Sequence, residues 1–349
     1  FVDVVKVKAR IALREGLIVD HSPRAVEEEG RVGFCVLVRD AAGRINSSLA
    51  QPLPDEAGVG QDQAVQQLHE VPQLVGIVGD GAFPSLLEAL HVARDILLEE
   101  LVKSGVEEIC LVLGSEEERI QYTDFFERQL SEEHLRKLNK EAQEYENRIL
   151  DIGKRLRYVY QHEKRGFGHA VFQAAEFANN EPVLLLLGDT LYRSQTNKPC
   201  ALQLIEQYER YNQLMVSIHP IPLAEVSHYG ILTGVWEDKE NMHLNVSVMN
   251  EKPKASYAED FLGVRNKDGE KEYYSVFGQY ILTPEVFAQL EEDIQKADEE
   301  GDRTREIELT AALEAVRQKS GMMGIRLKGI MYDMGNPTAL RNCVRHFSK

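Results

Sequence analysis

Three scarcities bound this 349-residue chain before any motif is read. Its four cysteines, Cys35, Cys110, Cys200 and Cys343, lie far apart and form no Cys-x-x-Cys pair. That excludes a disulfide scaffold and a thiolate zinc site, and fits free thiols in a reducing compartment. No apolar run approaches the ~20 residues a helix needs to cross a bilayer. The first residues show no basic segment leading into an apolar core, so a secretory leader is not expected. Positive charge is also short: net charge is −17, with 57 acidic against 40 basic residues. A nucleic-acid partner is therefore not expected, and a phosphorylated ligand would need local cations, a metal ion or both. What remains, 43% hydrophobic residues in a chain of this length, is ordinary for a soluble enzyme, with the cytoplasm as its expected place or an organelle stroma as the alternative.

Residues 1–70 differ from the rest. Val32 to Val38 reads as a strand, and Asn46 to Gln67 has the Ser, Pro, Gly, Gln and Asp content of a linker. This part is expected to be an N-terminal extension of unknown role, with the main domain over 71–349. From Leu74 onward apolar strand runs alternate with helical spacing: Leu86 to Val102, Ile109 to Leu113, a charged helix over Ser131 to Asp151, Leu156 to Tyr160, His169 to Ala178, and Val183 to Leu187. After Pro222 the pattern turns strand-rich (Ile231 to Trp236, Leu244 to Asn250, Tyr273 to Leu282) before two further helices. The expected fold is α/β, a Rossmann-like doubly wound mixed sheet whose alternating part is parallel.

The chemistry concentrates around Gly166-Phe-Gly168-His169. A Gly-x-Gly turn opening a helix lets backbone N–H groups approach a ligand, since no Cβ stands in the way. His169 suits a structural hydrogen bond at that helix start better than a general base. The run Val183-Leu-Leu-Leu-Leu187 reads as a strand buried on both faces and ends in Gly188-Asp189, at the carboxyl end, where open α/β folds bind ligands. A carboxylate there is costly unless paired or bound to a cation, and Mg²⁺ takes one or two carboxylates and fills its shell with phosphate and water. Most Gly-Asp pairs are turns or caps, and the upstream glycine turn is what favours the metal reading of Asp189. Asp333, after Ile330-Met331 and before a glycine, is a capping aspartate if read alone and a second metal carboxylate if it meets Asp189. Glu251-Lys252-Pro253 follows a strand, so the Glu and Lys are expected on opposite sides of a cleft, Lys252 toward a phosphate and Glu251 toward sugar hydroxyls.

The order of these pieces resembles the sugar-1-phosphate nucleotidyltransferases, in the branch that uses UTP and glucose-1-phosphate. The matching elements are Gln161 ahead of Gly166-Phe-Gly168-His169-Ala170, Gly188-Asp189, His228-Tyr-Gly230, Glu251-Lys-Pro253, Gly278-Gln-Tyr-Ile-Leu-Thr-Pro284, Glu306-Ile-Glu-Leu-Thr-Ala311 and Tyr332-Asp-Met-Gly335. The resemblance implies Mg²⁺-dependent transfer of a uridylyl group from UTP to a sugar-1-phosphate, with pyrophosphate released. It implies Gln161, Gly166, Gly168 and His169 at the nucleotide and Asp189 and Asp333 on Mg²⁺. It further implies Lys252 at the sugar phosphate, Gly230, Glu251 and Gly278 at the sugar, and Asp189 and Lys252 as the catalytic pair. UTP and the sugar phosphate are the expected partners, with no nucleic acid or membrane and with a homo-oligomer allowed. The departure lies in the first loop. The family carries Gly-x-Gly-Thr-Arg-x-x-Pro there and a lysine soon after. This chain has Gly79-Asp-Gly81-Ala-Phe83-Pro84, without the Thr-Arg and with no lysine between Gly81 and Lys103. Gly79 and Gly81 are still expected to cradle phosphate, with residues lacking from the sequence near Gly81–Phe83 and near His91–Ile96. The alternative is a catalytically impaired scaffold or regulatory subunit that keeps the fold. A dinucleotide-dependent oxidoreductase is disfavoured, because the third fingerprint glycine and the acidic residue after a second strand are absent.

Overall fold

The computed structural model describes the backbone of residues 35–39 and residues 96–333. Gly79, Gly81 and the stretch in which residues are expected to be lacking lie outside these. Strand β1 is Cys35–Arg39, β2 Glu108–Leu113, β3 Leu156–Tyr160, β4 Val183–Leu187, β5 Thr190–Ser194, β6 Met215–Ile221, β7 Gly230–Trp236 and β8 His243–Glu251. Four more complete the described set: β9 Val264–Arg265, β10 Lys271–Leu282, β11 Met323–Arg326 and β12 Gly329–Asp333. Ten strands form one sheet in the order β3-β2-β1-β4-β10-β6-β11-β8-β7, with β9 attached to β10. The remaining two, β5 and β12, form a separate ribbon.

The sheet is mixed, as expected of the whole, but the parallel expectation for its alternating part needs correction. Strands β2 and β3 are parallel, as are β6 and β11. Strand β1, however, runs antiparallel between β2 and β4, and β10 runs antiparallel to both β4 and β6. A strand from the segment ahead of residue 71 thus stands mid-sheet. The turn-rich composition after it gave no hint of that position.

Strand β4 shows why a continuous apolar run belongs in the middle. Val183, Leu184, Leu185 and Leu186 are each fully buried. Alternate residues serve different cores: Val183 and Leu185 pack on one face with Val286, Leu290 and Leu313, while Leu184 and Leu186 pack on the other with Leu97, Leu101, Ile149 and Leu204. Each such side chain contributes about 1.5–3 kcal/mol on burial. Helices therefore cover both faces, and the strand ends are left to carry polar residues.

The charged helix expected over Ser131 to Asp151 is two helices, Glu132–Lys137 and Lys140–Arg155. Asn139 separates them by accepting from the Ala142 N–H at 2.8 Å, an N-cap inside what reads as one run. The second helix is not wholly exposed either, since it buries Tyr145, Ile149 and Ile152. The helix after the glycine turn is likewise interrupted, into Phe167–Phe172 and Ala175–Ala178.

Candidate active site

The glycine turn comes first. Gly166 has φ +94°, a conformation L side chains rarely adopt, and it starts the Phe167–Phe172 helix. A Cβ at Gly166 would come within 2.5 Å of Glu306 Cγ, and one at Gly168 within 2.8 Å of the Ile307 carbonyl oxygen. The Gly168 N–H already donates to Ile307 O at 2.8 Å, and the Ile307 N–H donates to Arg165 O at 2.8 Å. The space the glycines leave is thus taken by residues 306–308, and the Gly168 N–H is spent within the protein. The close packing of residues 306–308 is thus one reason why both positions are glycine.

Gln161 directly follows β3 and bonds to this turn. Its amide nitrogen donates to Gly166 O at 2.9 Å and contacts His169 Nδ1 at 3.1 Å. His169 is held also by Gln173, whose amide nitrogen donates to its carbonyl at 3.1 Å. Partial burial, then the nearby Arg165 charge, lower the imidazole pKa, which keeps the ring neutral and suited to a structural hydrogen bond. Arg165 itself is buried, with its guanidinium 2.9 Å from Asp298.

Asp189 sits in the turn between β4 and β5, half-buried, with Thr190 Oγ1 at 3.3 Å from its Oδ1. The register of the β5–β12 ribbon pairs Asp333 with Thr190. Facing residues in an antiparallel pair have Cα atoms about 4.5–5.5 Å apart, so the Asp333 backbone lies beside Asp189 although the two are remote in sequence. The Asp333 side chain is outside what is described. Tyr192, on the same ribbon, donates to Gly278 O at 2.8 Å. Gly278 has φ +88°, and a Cβ there would lie 2.6 Å from the Tyr192 hydroxyl. The space at this glycine is filled from within the fold.

The third group is at the ends of β7 and β8. Gly230 pairs with Glu251, and a Cβ on it would come 3.1 Å from Glu251 Oε2. That same oxygen accepts from Thr310 Oγ1 at 2.8 Å. Lys252 Nζ lies 3.5 Å from Glu251 Oε1, so the two side chains pair instead of facing opposite sides of a cleft. The cause is the backbone: Lys252 has φ +45°, breaking strand alternation just before Pro253, while its N–H donates to Tyr229 O at 3.0 Å.

Two features to which the sequence reading gave no role join the groups. Tyr280 is buried, and its phenol pKa is raised first by burial and then by the negative charges of Glu251 and Asp189. Residues 306–310 run from the glycine turn, through Ile307, to Glu251, through Thr310. The motif Glu306-Ile-Glu-Leu-Thr-Ala311 is the signal that pointed to this segment without stating its role. No group of three His, Cys, Asp or Glu placed to hold a metal ion occurs among the described residues. Cys110 and Cys200 are buried and in no disulfide.

The nucleotidyl transferase family profile matches residues 88–348, and the chain belongs to that family. Among curated relatives, the UTP–glucose-1-phosphate uridylyltransferase of Streptococcus pneumoniae is 31% identical over 244 residues, 69% of this chain and 74% of that protein. The Bacillus subtilis enzyme of the same name is 30% identical over 243 residues, 68% and 74% of the two chains. Among solved structures, an apo UDP-glucose pyrophosphorylase superposes with TM-score 0.59 at 25% identity over 73% of this chain and 86% of that one. A UTP-bound UGPase from Acinetobacter baumannii gives TM-score 0.56 at 22% identity over 73% and 81%, which speaks to the fold alone. The family and fold expected from the order of motifs are borne out. No helix among the described residues is long and apolar enough to cross a membrane.

Proposed function

We propose that the chain is a UTP–sugar-1-phosphate uridylyltransferase, with glucose-1-phosphate as the acceptor and Mg²⁺ as the cofactor. The observation that carries this reading is the β5–β12 register, which sets Asp333 against Thr190 and so brings a second aspartate to Asp189 at the end of the central strand. Two carboxylate donors fit Mg²⁺, which leaves its other positions to phosphate oxygens and water. Asp189 and Asp333 would hold the ion, which when bound draws charge from the phosphate oxygens at the reacting centre. The remaining work is positioning and charge neutralisation. Both contacts of Gln161 use its amide nitrogen, so its carbonyl oxygen is the part suited to accept from the uracil N3–H. Glu251 accepts from sugar hydroxyls, and Lys252, half exposed beside it, neutralises the sugar phosphate. A sugar-1-phosphate oxygen attacks the α-phosphorus of UTP in line. The new P–O bond forms as the bond to the bridging α–β oxygen breaks, and pyrophosphate leaves with the electron pair.

The relatives' names support uridylyl transfer, and the missing Thr-Arg of the first loop favours one rival, a non-catalytic binding subunit. Pyrophosphate release from UTP, measured with glucose-1-phosphate and several other sugar-1-phosphates in the presence of Mg²⁺, separates the two. Release above background with glucose-1-phosphate supports the enzyme. No release with any acceptor, together with retained UDP-sugar binding, favours the scaffold.

A further inference from the structure

We propose that Thr310 is a positioning residue: its hydroxyl fixes the Glu251 carboxylate so that the other oxygen is presented to a sugar hydroxyl. The inference deepens the uridylyltransferase reading and rests on it. A glutamate at a strand end has three side-chain torsions and loses its aim unless something restrains it. Here three neighbours do so. Thr310 Oγ1 donates to Oε2 at 2.8 Å. The bare Cα of Gly230 lets that oxygen come close, since an added Cβ would sit 3.1 Å away. Lys252 Nζ stands 3.5 Å from Oε1, a loose contact that leaves this oxygen room for another donor. About a third of the Glu251 side chain is exposed, at 31%, so a ligand can reach it.

Thr310 is itself well anchored. It lies in the first turn of the Leu309–Ser320 helix, which buries Leu309, Ala312, Leu313 and Val316. Three residues upstream, Ile307 is buried and makes both backbone bonds to the glycine turn. The threonine thus holds Glu251 at a set offset from the turn that carries Gln161 and His169. It acts through Glu251 and need not touch substrate.

The test is steady-state kinetics of Thr310→Val and Thr310→Ser, with KM measured separately for the sugar-1-phosphate and for UTP. Thr310→Val keeps the shape and removes the donor. It should raise KM for the sugar phosphate by about tenfold, the order expected for one hydrogen bond to a charged acceptor. KM for UTP and the melting temperature should stay unchanged. Thr310→Ser should restore most of the loss, and Thr310→Val should add little in a Glu251→Gln background. An unchanged KM for the sugar phosphate, an equal rise for both substrates, or a matching drop in melting temperature would overturn the proposal. If the wild-type protein releases no pyrophosphate, the functional reading fails by itself. Crystal structures of wild type and Thr310→Val then decide the positioning: an unmoved, equally ordered Glu251 carboxylate in the variant overturns it, and a displaced or disordered one supports it.

Discussion

Glu100 makes a sharp prediction about stability and pH. Its carboxyl group is enclosed where the 96–103 helix meets the start of the Cys200–Tyr211 helix, although the residue keeps some surface. Burial is the main cause that raises its pKa from 4.5 to about 7, against hydrogen bonds from the Ala201 N–H at 3.0 Å and the Gln279 amide at 3.4 Å. A carboxyl group with a raised folded pKa keeps its proton in the folded state over a range in which the unfolded chain has lost it. Its contribution to stability is therefore fully present below about pH 4.5 and lost as pH rises through about 7. At 1.36 kcal/mol per pKa unit, the loss is on the order of 3 kcal/mol. Glu100→Gln removes the titration while keeping the shape. Urea denaturation of both proteins from pH 4.5 to 8.5 reads the difference, and subtracting the curves cancels the other titrating groups. The variant should gain on the wild type across this range and level off above about pH 7.5. A difference that stays flat with pH would refute the reasoning, as would one that moves the other way.

Other outcomes follow from the site. Gly168→Ala drives a methyl group against the Ile307 carbonyl and Leu290, so it should cost about 1–3 kcal/mol in denaturant unfolding; a neutral result would mean that residues 306–308 give way easily. Lys252→Ala should lower turnover strongly with little change in melting temperature, since the side chain is half exposed, and Lys252→Arg should rescue only in part. Equal losses of activity and stability would mark Lys252 as structural. Asp189→Asn should weaken Mg²⁺ binding measured by calorimetry in the presence of a non-hydrolysable UTP analogue; unchanged affinity would remove Asp189 from the metal site.

Much of the fold was legible because apolar runs leave a clear trace. The ends of β3 and β4 match their runs. Legibility failed where structure depends on partners far along the chain. The strand that ends in Asp333 could be read from Ile330-Met331, but its partner β5, Thr190–Ser194, carries no apolar run to announce it. The Ala255–Phe261 helix, short and bearing exposed Tyr257 and Phe261, has no apolar stripe to betray it. At the site, residue types pointed to Asp189, Glu251 and Lys252, but not to how they are held. Gly166 and Gly168 could be read as bare for a ligand or for another backbone. The approach of Ile307, which the sequence does not show, supplies the backbone reason. Likewise Thr310 could not be tied to Glu251 before the helix it starts had been packed against β8.

The small β5–β12 ribbon also sets the order in which the molecule can become competent. One strand leaves the central sheet straight after Asp189, and the other arrives only after every strand of the main sheet has been made. At synthesis rates of about 5–20 residues per second, a nascent chain carries Asp189 for several seconds before Asp333 exists to join it. During that interval the apolar core of the sheet can assemble, but the aspartate pair cannot. On the proposed reading, the place for a cation would thus be completed late in the life of each chain.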